Sequence, residues 1–332
     1  MAQQRSVTLS DVATVAGVSL GTASKALNGE KRVSDETRAR VMDTARRLGF
    51  RPNGLARSFA RGESGTVAVL TQMADATWSS PVLVGAAAHL GAQGKAVLLL
   101  DSAFDRRSIQ ENADDLHARR VDGVIVIGVG PHHVLPSVSA DFDVPVAYAY
   151  TATTSAADAI FTPDERQIGV LAGEHLVEIG RRRVAHIGAD DRPALTRRDG
   201  LAAALEAAGL PVVATLQEGG TWYEPWGRVA AEQLIASGVK FDAIFCGNDH
   251  IARGAESALR SHGCRIPDDV ALVGVDNWEG VVVRQGGRHL TSINPELMGV
   301  GAMAASRVEQ RSVEAGVHLQ PCHLVLGETT GF

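Results

Sequence analysis

The sequence predicts an α/β protein, with an N-terminal helix-turn-helix head followed by a two-lobed body of parallel sheets. Three observations predict it. The stretch "SVTLSDVATVAGVSLGTASKALNG" from Ser6 sets apolar residues at helical spacing on both sides of a Gly17-Val18-Ser19 break. From Thr66, short apolar runs alternate with helix-length segments. Charge divides near the same boundary. Residues 1–62 hold eleven Lys/Arg against five Asp/Glu, a balance of +6, and the rest carries −12. A small basic module on an acidic body points to a polyanion such as nucleic acid at one end; the plain alternative is a solvated charged face.

Thr8-Leu9-Ser10-Asp11 has the form of a capping box. Leu9, Val12, Ala13 and Ala16 then recur at helical spacing, and Gly17 supplies a left-handed stop. Ser19 can cap a second helix carrying Thr22, Ala23, Ala26 and Leu27, and the small Ala13 and Ala23 let the two helices cross closely. A third helix should start after Ser34 and end at Gly49, with Val41, Ala45 and Leu48 inward. In a helix-turn-helix the start of the second helix enters the DNA major groove. Leu20, Gly21 and Lys25 would then face base edges, where Lys25 can donate to guanine and Leu20 can touch a thymine methyl. Thr22, Ser24 and Asn28 can bond phosphates, and the cap residues Thr8 and Ser19 are counted in the same DNA-contacting set. The alternative is a three-helix miniature core with ordinary surface hydroxyls.

Pro52 disfavours a helical Arg51, and Asn53 can cap a short helix from Gly54 to Ala60. That helix is below the ~12–15 residues needed for independent stability, so it needs a docking partner. A plain linker is the alternative.

The body runs "TVAVLT", "KAVLLL", "GVIVIG", "PVAYAY", "RVAHIG", "DAIFCG" and "VALVGVD" suit buried parallel strands, separated by helical stretches such as "GLAAALEAAG". Their number exceeds one comfortable sheet, so two lobes are expected, with a ligand cleft beyond the strand carboxyl ends. Asn248, Asp249, Asp276 and Asn277 follow strands, and Arg197, in "TRRDGL", is expected to open a helix. Trp78, Phe161 and Trp222 are expected in loops. Carboxylate, amide and guanidinium groups among flat apolar faces suit a sugar. Each strand-end Asp could equally cap the next helix.

No nucleophile elbow, zinc-protease motif or Walker loop is present, so an enzyme is not expected. Neither cofactor nor metal is expected; "GVGPHH" lacks a third glycine, and its His132 and His133 have no evident metal partners, so it is expected to be a solvent-facing loop. The three cysteines are scattered, no apolar run reaches membrane-spanning length, and the opening segment has no secretory h-region. A cytoplasmic protein without a membrane partner is the expectation.

"VTLSDVATVAGVSLGTASKALNG", with "VSDETRARVMDTARRLGFRPNGLARSFARG" after it, closely resembles the head of LacI/GalR-type bacterial transcription repressors, from about Val7 to Gly62. The resemblance continues more diffusely to about Thr330 and implies a periplasmic-binding-protein-like effector domain. It implies a helix-turn-helix domain over 1–52, a hinge helix and linker over 53–65, and an effector-binding and dimerisation domain over 66–332. The N-lobe would be about 66–162 and 294–322, the C-lobe about 163–293 and 323–330. The hinge would fold on operator DNA, with Asn53 as cap, Ala56 at the contact between paired hinges, and Phe59 wedged into the minor groove where the family usually has Leu or Met. Arg197, Asn248 and Asp276 match effector-binding positions, as do the aromatic positions Trp78, Phe161 and Trp222. Tyr150 replaces a carboxylate found in some sugar-responsive members, Leu201 an aromatic, and Pro295 a polar residue.

The expected protein is a homodimeric repressor that reads a pseudo-palindromic double-stranded operator under control of a small-molecule effector, a sugar. The chain closes on "LGETTGF" without the leucine heptads of the family's tetramers. A nucleobase or nucleoside effector is the nearest alternative; a sugar-binding transport protein and a sugar-modifying enzyme are alternatives from other classes.

Overall fold

A computed structural model describes residues 7–28, 32–50, 63–72, 78–101, 104, 106–279, 288–311 and 314–331. The chain forms two compact units, residues 1–64 and 65–332. Asn53, Ala56 and Phe59 of the expected hinge lie outside the described residues.

In the first unit, α1 (Leu9–Ala16) opens on the capping box: the Thr8 amide donates to Asp11 Oδ2 at 2.8 Å and the Asp11 amide to Thr8 Oγ1 at 3.3 Å. Gly17 ends the helix at φ 66°, a left-handed conformation that glycine adopts without a Cβ penalty. Ser19 caps α2 (Leu20–Leu27), accepting the Thr22 amide at 3.1 Å. Ser34 caps α3 (Asp35–Leu48). Val12, Ala13, Ala16, Ala23, Ala26, Val41 and Ala45 form the core. The Arg40 guanidinium donates to the Ala16 carbonyl at 3.2 Å, tying α3 to the end of α1.

The second unit holds two six-stranded sheets. The first has the order β13-β7-β5-β3-β1-β2, from β1 (Thr66–Thr71), β2 (Ala96–Asp101), β3 (Gly123–Ile127), β5 (Val146–Ala149), β7 (Ala159–Pro163) and β13 (Gly316–Gln320), all paired in parallel. The second has the order β14-β12-β11-β10-β8-β9, from β8 (Val184–Ile187), β9 (Val212–Leu216), β10 (Ala243–Cys246), β11 (Ala271–Val275), β12 (Thr291–Asn294) and β14 (His323–Val325), with only β14 antiparallel. A small pair, β4 (Val134–Leu135) with β6 (Ala152–Thr153), stands apart. Continuous apolar runs such as "GVIVI" in β3 and "ALVGV" in β11 are buried throughout, as strands covered on both faces require.

The chain passes between the sheets three times, after Pro163, after Asn294 and after Gln320. The crossings are bonded together: the Asp164 amide donates to the Gln320 carbonyl at 3.1 Å, and the Cys322 amide to Gln167 Oε1 at 2.7 Å.

The covering helices are α4 (Ser79–Ala92), α5 (Arg106–Arg119), α6 (Glu165–Glu178), α7 (Arg192–Ala207), α8 (Glu224–Ala236), α9 (Asp249–Ser261) and α10 (Leu297–Glu309). Helices α6 and α7 cross through glycines. A Cβ on Gly169 would stand 1.8 Å from the Arg197 carbonyl oxygen, and one on Gly200 2.1 Å from that of Arg166. This contact brings the first residue of α6 against the second turn of α7, where the site lies. Gly169→Ala should therefore destabilise the body by about 1–3 kcal/mol or more through overpacking. Gly91→Ala, in helix α4 with nothing within 4 Å of the added methyl, should stabilise it by about 0.5–1 kcal/mol. Calorimetric unfolding separates the two; equal effects would mean that α6 and α7 do not touch.

Candidate functional site

Between the two sheets of the second unit lies a cleft of about 530 Å³, lined by strand-end loops and helix starts from both lobes. Its floor is Arg197, 5% exposed, on α7. Arg197 Nε donates to Glu165 Oε2 at 2.5 Å and Nη1 to the Gly247 carbonyl at 2.6 Å. Nη2 has no hydrogen-bond partner among the described residues. The guanidinium carbon stands 5.2 Å from the centre of the Trp222 ring, within cation–π range. Burial works against the Arg197 charge, but Glu165 and Asp276 outweigh it and hold its pKa above the usual arginine value.

Asp276 follows β11 at φ 103°, with its amide bonded to the Ile293 carbonyl at 2.9 Å. Its carboxylate makes no hydrogen bond to the described residues. Burial pushes its pKa well above the carboxylate range, and the nearby Arg197 only partly offsets this. Tyr150, 9% exposed, follows β5 at φ 55°; burial raises its hydroxyl pKa, with Glu165 and Asp276 adding. Two non-glycine residues in left-handed backbone at strand ends mark the cleft as a site where local strain is held in place by surrounding structure.

Asn248 serves two purposes. Its Oδ1 caps α9 by accepting the Ile251 amide at 2.9 Å, and its Nδ2 donates to the Trp222 carbonyl at 3.0 Å. Trp222 donates Nε1–H to Asp191 Oδ2, which fixes its ring. Trp78 stands at the start of α4, its ring edge-to-face with Trp278 at 4.9 Å.

The structure thus brings six expected residues, Trp78, Tyr150, Arg197, Trp222, Asn248 and Asp276, to one cleft. Phe161 is a correction. It lies in β7, not in a loop; side-chain alternation turns it into the core, fully buried and stacked on His318 at 4.8 Å. The "GVGPHH" loop is not simply solvent-facing: Gly128 is buried, Val129, Gly130 and Pro131 are half-buried, and only His132 and His133 are exposed, on the cleft wall. Glu165, Asp191, Arg192, Tyr223, His250 and Trp278 were not legible as site residues. Trp278, two positions after Asp276, carried the strongest unused signal. Among the described residues, no group of three or more His, Cys, Asp or Glu is placed to hold a metal ion, and no helix is long and apolar enough to cross a membrane.

In the first unit, α2 turns Ala23 and Ala26 inward and leaves Gly21 and Lys25 exposed, together with Leu20 at 55%. Leu20 opens the helix and Lys25 lies in its last turn, both outside the core of the unit. The hydroxyls of Thr8 and Ser19 are engaged in their caps, and Ser19 Oγ also meets Thr22 Oγ1 at 2.8 Å. Asn28 closes α2, with Nδ2 at 3.5 Å from Ser24 Oγ.

Family models match both units. "Bacterial regulatory proteins, lacI family" covers residues 8–53, and "Periplasmic binding proteins and sugar binding domain of LacI family" covers residues 64–323. The chain belongs to the LacI family of bacterial regulatory proteins. It is a transcriptional regulator with a DNA-binding head and an effector-binding body. The HTH-type transcriptional regulator CelR of Thermobifida fusca is 30% identical over 99% of this chain and 100% of its own length. The ribose operon repressor of Escherichia coli (strain K12) is 28% identical, over 82% and 83%. Among solved structures, the lac repressor dimer bound to operator and the anti-inducer ONPF matches with a TM-score of 0.68 at 26% identity, over 98% of this chain and 99% of that one. The transcriptional regulator CelR–cellobiose complex matches at 0.61 with 26% identity, over 97% and 99%.

A buried carboxyl holds the regulator's Asp276–Trp278 loop. Asp249 accepts the Ser292 hydroxyl at 2.7 Å and the Trp278 amide at 2.9 Å, and burial pushes its pKa up to about 7. An acid whose folded pKa is raised holds its proton longer in the native state. Its contribution to stability therefore falls as pH rises from about 4 to about 7. Asp249→Asn keeps an acceptor for Trp278 and removes the titration. The stability of the native chain relative to this variant should decline over that window, by up to about 4 kcal/mol. Melting curves at pH 4.5 and 7.5 check this; a constant difference would place the Asp249 titration elsewhere.

Proposed function

We propose that this regulator is a homodimeric repressor whose grip on a pseudo-palindromic operator is controlled by a sugar held in the cleft. Residues 1–52 act as the reader, 53–65 as the hinge and 66–332 as the sensor. The observation that carries the sugar reading is the pairing of Arg197 and Asp276. Each has polar atoms left uncommitted by the described residues, and both line the cleft with the aromatic rings of Trp78, Trp222 and Trp278. Vicinal hydroxyls can bridge a guanidinium and a carboxyl while ring C–H faces lie on indole. The cellobiose in the CelR complex supports a sugar over a nucleobase or nucleoside.

Leu20, Gly21 and Lys25 read base edges, while Thr22, Ser24 and Asn28, with the helix starts at Thr8 and Ser19, hold the backbone. Asn53, Ala56 and Phe59 form the hinge that enters the minor groove. Phe161 supports the cleft from within the N-lobe core and does not touch the ligand. The sugar is bound and released unchanged, in the cytoplasm, and the protein carries no catalytic residue. A sugar that prefers one arrangement of the lobes shifts the operator affinity by its difference in affinity between arrangements, typically ~5–150-fold.

The test is fluorescence anisotropy on an operator selected from random-sequence DNA, titrated with sugars and nucleosides. A sugar should change the operator affinity within that range. Lys25→Ala should weaken binding and relax preference at one base pair. Asp276→Ala should bind DNA and ignore the sugar. A response to nucleosides alone, or to nothing, would contradict the proposal.

A further inference from the structure

Three of the chain's four tryptophans line one cleft, on both of its walls. Trp222 belongs with Arg197 and Asp276, and these three already make a complete station for one sugar ring: a charged donor, a carboxyl and an aromatic face. Trp78 and Trp278 are surplus to it. Trp78 comes from the N-lobe at the start of α4, Trp278 from the C-lobe loop after β11, and their rings meet edge-to-face at 4.9 Å across the cleft. His250 stands tilted against Trp278, ring centres 5.8 Å apart.

Two features show that this pair is more than packing. The Trp278 Nε1–H is shut off from solvent and has no hydrogen-bond partner among the described residues. Buried indole donors are normally satisfied, so this one is arranged for an acceptor that the described residues do not supply. The backbone that carries it is specified in detail. Asn277 lies at φ 53° with its amide on Ser292 Oγ at 2.9 Å, and the Trp278 amide is held by Asp249. The cleft, at about 530 Å³, lies within the ~300–1,000 Å³ range of small-molecule sites.

We propose that Trp78 and Trp278 form a second subsite, so that the effector is a saccharide of at least two linked rings and Trp278 determines that preference. In this structure the two indoles meet edge to face. The second sugar ring parts them, lies on an indole face, and offers the Trp278 N–H a hydroxyl or ring oxygen. Because the rings belong to different lobes, the second ring also bears on the lobe arrangement, so chain length of the sugar is read out as operator affinity. This rests on the sugar reading above.

The test is calorimetric titration of the full chain with glucose, galactose, cellobiose, maltose and lactose, using adenosine as a control for the broader reading. At least one disaccharide should bind tenfold or more tightly than its component monosaccharides, with a change in tryptophan fluorescence. In Trp278→Ala that ratio should collapse to threefold or less. Trp278→Phe keeps a ring and drops the donor, so it should retain part of the preference; circular dichroism checks that both variants fold. Monosaccharides binding as tightly as disaccharides, or a Trp278→Ala variant that keeps the native ratio, would overturn the second subsite while leaving a sugar effector intact. Adenosine binding with no sugar bound would overturn both readings.

Discussion

The body is organised around one buried ion pair. Arg197 and Glu165 are each almost fully enclosed, and they join the first helix after the lobe crossing to the helix that floors the cleft. Removing two charges from water is costly, and a buried pair is sustained only by close geometry and further hydrogen bonds. Here the geometry comes from Gly169 and Gly200, which let α6 and α7 approach backbone to backbone. The further bond comes from the Gly247 carbonyl, immediately before the helix cap at Asn248. The pair therefore ties the crossing, the floor and the β10–α9 turn into one unit, and it fixes the guanidinium in the lining of the cleft.

The walls of the cleft, on both lobes, are built by a different device. Asp276, Asn277 and Tyr150 sit at positive φ, which L-residues adopt at a cost of the order of 1–3 kcal/mol each. The Asp276–Trp278 loop is held there by Ile293, Ser292 and Asp249. Since β12 lies next to the second crossing after Asn294, this cleft-lining loop is bonded to the strand that leads back to the N-lobe. The loop and the strand before that crossing thus share hydrogen bonds, and a molecule held in the cleft biases one lobe arrangement only by as much as its affinity differs between arrangements.

The head was legible almost residue by residue because its signals are local. Thr8, Gly17, Ser19, Ser34 and Gly49 act within one turn of their own position, so caps and stops could be read from the chain. The apolar central strands were legible for the same reason. Strands β12 ("TSIN") and β13 ("GVHLQ") were not, because β12 is polar and buried through partners distant in sequence: Thr291 bonds Thr329, Thr330 and Gly327. The cleft divided likewise. Arg197, Asn248 and Asp276 stood out as strand-end or motif residues. Glu165 resembled an ordinary first-turn acid, and only the crossing of α6 over α7 gives it a partner thirty-two positions away. Phe161 failed as a pocket residue because a one-position difference in strand register decides which face a side chain takes.

The most direct measurement of the central claim is a double-mutant cycle on chemical unfolding with Glu165→Gln, Arg197→Met and the combined variant. If the pair organises the body, each single change leaves one partner buried and uncompensated and costs about 3–5 kcal/mol. The double variant should then cost less than the sum of the singles, by about 0.5–3 kcal/mol. Strictly additive costs would mean that the two side chains act independently and that the cleft floor is held by something else.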